Sequence, residues 1–214
     1  MNLSAVLGFL SVVTSLIYGS RVTFQRANWR KTLLKAVPVA CLFAIALAEA
    51  APTPLVFALL CGVIGDIALS RDGPRNFLIG LSAFLLGHLF YIGLLASAGD
   101  IADGPDPLRL AAMVALAVMG GAVFLRLRSG FGALLWPVFA YVCVSVVLGW
   151  AALLLPLSYP LALAMLGALL FIGSDICLAF ELFGNGSGGR VLPPVVWFSY
   201  WGGQALILAG FVLG

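Results

Sequence analysis

Two aspartates stand inside long apolar runs, and their type and setting indicate chemistry more clearly than any other residues of the chain. Asp66 lies in the segment 65–69 and Asp175 in the segment 174–178. A carboxylate near the centre of a bilayer costs about 2.5–3.5 kcal/mol on insertion scales, so such a residue faces a protein interior or a wet cavity and has a partner there. Two carboxyl groups in one site can divide acid and base work, because one holds a proton while the other stays ionised.

The two acidic segments share a pattern, a small residue followed by Asp-Ile-x-Leu. They occur in the third and the seventh of the helices predicted below. This spacing suggests a parallel four-plus-four repeat of the fold.

The composition predicts an integral membrane protein. Of 214 residues, 63% are hydrophobic and 9% are charged, and the mean hydropathy is +1.17. Ordinary soluble domains contain about 25% charged residues. We therefore expect an all-α, polytopic bundle that forms one domain over residues 1–214, with membrane lipids as neighbours.

The apolar runs predict eight transmembrane helices, because runs of this length can cross a hydrocarbon core of ~30 Å. The predicted spans are 3–19, 33–48, 55–70, 76–97, 108–125, 131–154, 161–183 and 191–213. The first is interpreted as an uncleaved helix, since its basic residues follow it and those of a signal peptide precede the apolar run.

The basic residues predict the orientation, because Lys and Arg concentrate in cytoplasmic loops. Ten of the 11 basic residues fall after the first, third, fifth and seventh spans, and Arg109 falls on the other side. This pattern predicts both termini outside (N-out/C-out). In this orientation Asp66 and Asp175 lie in the cytoplasmic half, with Asp175 the deeper of the two. We expect a multi-pass protein of a bacterial inner membrane.

Further polar residues lie at compatible depths and are candidates for binding or orienting a substrate. Several form pairs that share a helix face at i,i+3 or i,i+4 spacing. The candidates are Lys35 at the start of the second helix, His88, Tyr91, Tyr141, Tyr200 and Gln204, with Ser145 on the same face as Tyr141. Each can also be read as a structural partner, since a buried carboxylate needs hydrogen bonds.

Other kinds of site are disfavoured by the sequence. Zinc hydrolase sites usually take three protein ligands rich in His or Cys, and this chain has one histidine, so we expect no metal. There is no nucleophile-elbow serine, glycine-rich phosphate loop or nucleotide fingerprint. We expect no nucleic-acid partner.

Four motifs in successive helices resemble the YhhN-type lysoplasmalogenase family. They are Gly65-Asp66, Gly87-His88 with Tyr91, Ser174-Asp175, and Tyr200 with Gln204. Their order and spacing agree with the family from the second helix to the eighth. One departure concerns Lys35: the family tends to place proline directly after this lysine, whereas here Pro38 follows three residues later.

The resemblance implies an eight-helix membrane hydrolase without a cofactor. The family reaction is cleavage of the vinyl-ether bond of lysoplasmalogens, a class of lysophospholipid, to a fatty aldehyde and glycerophospho-ethanolamine or -choline. Protonation of such a bond at carbon gives an oxocarbenium ion, to which water adds. We interpret Asp175 as the acid, because it sits deeper, and Asp66 as the base.

Three other interpretations stay open at the level of sequence. The chain could hydrolyse another lysolipid or ether lipid, or it could be a small proton-coupled transporter, since membrane acids with a histidine also build proton relays. The two acids could also be structural.

Overall fold

The computed structural model describes residues 2–99, 104–184 and 189–213, and within them the regular structure is helical throughout. In chain order the α-helices are α1 Leu3–Ile17, α2 Trp29–Ala48, α3 Thr53–Leu69, α4 Pro74–Ala98, α5 Pro107–Leu127, α6 Leu135–Leu153, α7 Leu161–Phe183 and α8 Leu192–Val212. A π-helical turn, Tyr18–Val22, extends α1, and two 3₁₀ turns link α5 to α6. The predicted all-α class is confirmed.

Seven helical segments of the described residues are long and apolar enough to cross a membrane, which is the signature of a multi-pass protein. The helix that falls short is α3, with 17 residues. At ~1.5 Å per residue it is about 26 Å long, somewhat less than a ~30 Å hydrocarbon core. The predicted count of eight spans and the N-out/C-out orientation therefore stay predictions.

The start of α2 differs from the sequence-based expectation. Asn28 caps the helix by accepting the backbone N–H of Lys31 at 2.9 Å, so α2 begins at Trp29, four residues before the predicted position 33. Charged residues in the first turn hide this start in a hydropathy profile. Lys35 consequently lies in the second turn of α2 and not at its beginning.

The helices α7 and α8 approach each other closely at two glycines. A Cβ atom at Gly167 would lie 2.5 Å from the carbonyl oxygen of Gly203, and one at Gly203 would lie 2.7 Å from that of Gly167. Real Cβ atoms do not come so near, so both positions need glycine for the backbones to touch. This contact fixes the depth of α8 relative to α7.

A chain of hydrogen bonds ties α8 to α1 and α2. The indole Nε1 of Trp201 donates to the Ser11 hydroxyl at 3.0 Å, and that hydroxyl donates to the carbonyl oxygen of Pro38 at 2.8 Å. One turn away, Trp197 donates to the backbone and side-chain oxygens of Ser15 at 3.0 Å. In a water-poor interior these bonds fix the rotation of α8 about its axis. This rotation determines where the side chain of Tyr200 points.

Candidate active site

Asp66 is fully buried and has two partners on other helices. The hydroxyl of Tyr200 on α8 donates to its Oδ2 at 2.8 Å. The ammonium of Lys35 on α2 lies 3.6 Å from its Oδ1, an ion pair without a direct hydrogen bond. Both partners bring positive charge or a donated hydrogen to the carboxylate, which suits its ionised form.

Asp175 has a different set of partners. The Tyr141 hydroxyl donates to its Oδ1 at 3.1 Å, and the Ser145 hydroxyl lies 3.5 Å from Oδ2, both from α6. The Nε2 atom of His88 on α4 lies 2.9 Å from Oδ2. The side chain of Asp175 is 12% exposed, against 1% for Asp66, so Asp175 is the more accessible acid.

The backbone sets the tautomer of His88. Its Nδ1 lies 2.9 Å from the carbonyl oxygen of Phe84, and a carbonyl oxygen can only accept, so Nδ1 carries a hydrogen. A hydrogen bond between Nε2 and the Asp175 carboxyl group then requires one further proton, which is carried either by the carboxyl group or by the imidazole. His88 and Asp175 therefore form a pair that shares one proton at the wall of the site.

Tyr91 and Gln204 are buried but contact neither aspartate. The Tyr91 hydroxyl donates to Oε1 of Gln204 at 3.2 Å, and this bond joins α4 to α8. The Nε2 atom of Gln204 has no partner within the described residues. A Cβ atom at Gly62 would lie 3.0 Å from Gln204 Oε1 and 3.2 Å from the Tyr200 hydroxyl, so glycine keeps room for these polar groups.

Each aspartate is on one helix hairpin and finds a hydrogen-bond partner on another hairpin. The first hairpin, α3 with α4, carries Asp66 and His88; the second, α7 with α8, carries Asp175 and Tyr200. Each aspartate binds the donor of the other hairpin, since Asp66 binds Tyr200 and Asp175 binds His88. Phe171 lies between the two pairs, with ring centroids 4.8 Å from His88 and 5.3 Å from Tyr200.

Both acids line one chamber of about 770 Å³. This volume is in the range of small-molecule sites. Charged side chains of both signs surround it: Lys31, Lys35, Asp66, Arg71, Asp72, Asp175 and Glu181. Lys31 is already engaged, because its ammonium donates to the carbonyl oxygens of Thr23 and Gln25 at 3.1 and 2.6 Å. The chamber therefore offers a charged, wettable space next to two carboxyl groups.

A narrow apolar crevice, with a volume of about 100 Å³, meets this chamber at Asp175. It runs between α4, α5, α6 and α7, and its lining is apolar except where Tyr141, Ser145 and Asp175 meet. Phe84 and Leu178 are among the residues that line both spaces. The charged chamber and the apolar crevice therefore meet at Asp175, which is paired with His88.

Of the predicted residues, the structure brings Lys35, His88, Tyr141 and Tyr200 into contact with an aspartate, and it leaves Tyr91 and Gln204 as a supporting pair. Sequence reasoning missed Phe84, Phe171 and Glu181. A signal exists for Phe171, because it precedes Asp175 by four residues and so shares its helix face. Phe84 has the same signal, because it precedes His88 by four residues, and Glu181 is a charged residue inside the predicted span 161–183.

Among the residues of 2–99, 104–184 and 189–213, no group of three or more His, Cys, Asp and Glu side chains is placed to hold a metal ion. The donors around each acid are hydroxyl, imidazole and ammonium groups. They are suited to hydrogen bonding and proton transfer.

The fold and the site define a multi-pass membrane protein with one buried and one partly buried carboxyl group beside a mixed polar and apolar cavity. A family model for the YhhN family matches residues 30–211. This match covers most of the chain and every candidate site residue, so the chain belongs to the YhhN family.

Curated relatives carry a common name. The chain is 34% identical to a lysoplasmalogenase of Mycobacterium bovis over 163 residues, which are 75% of this chain and 60% of that protein. It is 32% identical to lysoplasmalogenase TMEM86B of Mus musculus, over 76% of this chain and 67% of the relative, and 29% identical to lysoplasmalogenase TMEM86A of Homo sapiens, over 73% and 68%. No solved structure matches the chain.

Proposed function

We propose that this chain is a membrane hydrolase that cleaves the vinyl-ether bond of lysoplasmalogens and releases a fatty aldehyde and a glycerophospho-ethanolamine or glycerophosphocholine. The observation that carries this proposal is the pair of differently partnered carboxyl groups at the junction of a charged chamber and an apolar crevice. The names of the relatives support the substrate class.

Asp175 is the proposed acid. It shares a proton with His88, and it is the aspartate that lines both the chamber and the crevice. Its other partners, Tyr141 and Ser145, stabilise the carboxylate that remains after the proton is transferred. General acid catalysis of this kind contributes roughly 10²–10⁴-fold to a rate.

Asp66 is the proposed base. The Tyr200 hydroxyl and the Lys35 ammonium favour its ionised form, which a base requires. Its negative charge also stabilises a cation formed in the chamber, much as carboxylates do in glycoside hydrolysis.

The proposed reaction consumes one water. Asp175 transfers a proton to carbon 2 of the vinyl ether, and the positive charge is then shared by carbon 1 and the ether oxygen. Water adds to carbon 1 as Asp66 takes its proton, which gives a hemiacetal. Asp66 then returns the proton to the glyceryl oxygen as the carbon–oxygen bond breaks, Asp175 takes the hydroxyl proton, and both acids are restored.

The proposed membrane arrangement is a single domain over 1–214 with eight spans in a bacterial inner membrane, α3 included. Seventeen residues are at the lower end of the range for transmembrane helices. Counting α3 as a span puts ten of the 11 basic residues on one side, with both termini on the other. Asp66 lies three residues before the end of α3, so the acids lie in the cytoplasmic half.

The test compares purified wild type with Asp66→Asn and Asp175→Asn on a lysoplasmalogen, with aldehyde release as the signal. Each variant is expected to lose about 10²–10⁴-fold in kcat, because each removes an acid or base. Asp106→Asn is the matched control, since Asp106 is an exposed cap of α5 and asparagine caps equally well. In deuterium oxide, the aldehyde is expected to carry one deuterium at carbon 2.

Other results would redirect the assignment. No aldehyde from folded wild type would remove the lysoplasmalogen assignment and favour another lysolipid or ether lipid, or proton-coupled transport. Full activity in either site variant would remove the two-carboxylate mechanism. Loss of activity with a chelator would show that a metal is required.

A further inference from the structure

We propose that the apolar crevice between α4, α5, α6 and α7 is the binding site for the hydrocarbon chain of the substrate, with the chain's first carbons at Asp175. This inference rests on the proposed function. It adds the direction in which the lipid lies, and therefore the carbon atom that each acid faces.

The first step is the chemistry of the lining. Apart from the polar group at Asp175, the lining side chains are aliphatic, aromatic or methionine. Examples are Leu81, Met119, Val142 and Ile176. No charged head group finds a partner there other than Asp175. A single hydrocarbon chain suits a narrow apolar space, because it buries apolar surface and needs no hydrogen bonds.

The second step is the route into the crevice. The wall that α5 forms is thinly packed, because Leu127, at its end, is the one buried residue of this helix. The lining residues Leu116 and Gly120 lie near the middle of α5. A lipid chain can therefore reach the crevice sideways from the bilayer while its head group enters the charged chamber.

The third step is the direction of the bound lipid. In a vinyl ether, carbon 2 lies on the chain side and carbon 1 on the side of the glyceryl oxygen. With the chain in the crevice and the head group in the chamber, carbon 2 faces Asp175 and carbon 1 faces the chamber that Asp66 lines. Protonation occurs at carbon 2 and water adds at carbon 1, so this direction matches Asp175 to the acid and Asp66 to the base.

The test uses two neighbouring residues of α5. Met119 lines the crevice and is 40% exposed, whereas Val118 is 65% exposed and lines neither space. Met119→Trp is expected to fill part of the crevice and to lower kcat/KM for a long-chain alkenyl substrate by about fourfold per methylene excluded, with a short-chain substrate little affected. Val118→Trp is expected to leave the chain-length profile unchanged. An equal loss on both substrates, or no difference between the variants, would overturn the proposal.

A second measurement does not depend on turnover. The probe is a saturated 1-O-alkyl lysophosphocholine with a diazirine in its chain, which has no vinyl ether to cleave. Crosslinks to crevice residues of α5 or α6 that unlabelled lysolipid competes away are expected. Crosslinks confined to residues outside the crevice, or equal labelling by a diazirine phosphatidylcholine, would contradict the crevice even if the enzyme proved inactive on lysoplasmalogens. Crosslinks in the crevice without aldehyde release would retain the chain site and reject the hydrolase.

Discussion

The two aspartates differ in what surrounds them, and this difference supports the separate roles proposed for them. Asp66 is paired with an ammonium and a hydroxyl, and both groups stabilise a negative charge on its carboxylate. Asp175 is paired with Nε2 of His88, and the Nδ1 atom of the same ring binds the Phe84 carbonyl oxygen. This arrangement places a proton between Asp175 and His88. Two carboxyl groups in unlike settings are a recurrent means of obtaining an acid and a base at one pH.

His88 is expected to act through Asp175 as a positioning residue. In His88→Gln an amide can still reach the carboxylate, but it cannot share a proton. We expect kcat to fall about 100-fold with KM nearly unchanged, because the loss affects proton transfer and not lipid binding. Steady-state kinetics with the purified variant measure both constants. A rise in KM with kcat intact would instead show that His88 shapes the lipid site.

At the scale of residues, the sequence predicts which side chains are polar at membrane depth but not which ones meet. Asp66, Asp175, His88 and Tyr200 stand out because polar groups in apolar runs are costly. Tyr91 and Gln204 stand out equally, yet they bind each other. The choice of partner depends on helix rotation and depth, which a hydropathy pattern does not encode.

At the scale of elements, the contact between α7 and α8 determines where Tyr200 lies. Gly203 is three residues after Tyr200 and touches the backbone of α7. Any side chain at Gly203 would separate the helices and move Tyr200 away from Asp66. The glycine pair is therefore a structural requirement of the site.

Gly203→Ala tests this requirement against its neighbour. Its Cβ would lie 2.7 Å from the Gly167 carbonyl oxygen, whereas a Cβ at Gly202 has nothing within 4 Å. We expect Gly203→Ala to cost about 1–3 kcal/mol in the free energy of unfolding, as overpacking does, and Gly202→Ala to be neutral. Thermal unfolding in detergent compares the two. Equal unfolding temperatures would mean that the helices adjust without strain.

Most helix positions could be predicted, since an apolar run of membrane length leaves little choice of structure. The predicted ends of α7, 161 and 183, match Leu161–Phe183. The start of α2 was predicted four residues late, because the Asn28 cap and the basic first turn look like a loop. The predicted four-plus-four repeat stays a prediction.

At the scale of the whole molecule, orientation follows from the parity of the spans. If α3 crosses the membrane, there are eight spans and the termini share a side; if it does not, seven spans place them on opposite sides. Reporter fusions at the C-terminus and between α3 and α4 distinguish the two arrangements. We expect alkaline phosphatase to be active at the C-terminus and inactive after Ser70, because the basic loops are placed in the cytoplasm. The reverse pattern would contradict N-out/C-out.

The exchange of partners between the two hairpins has a consequence for biogenesis. A chain inserted as far as α4 contains Asp66 and His88 but has neither Tyr200 for the first nor Asp175 for the second. The proposed catalytic site is therefore completed in one step, when the last hairpin docks. A half-inserted or truncated polypeptide is expected to be inert toward the lipids around it, so the proposed hydrolase activity begins only with the completed bundle.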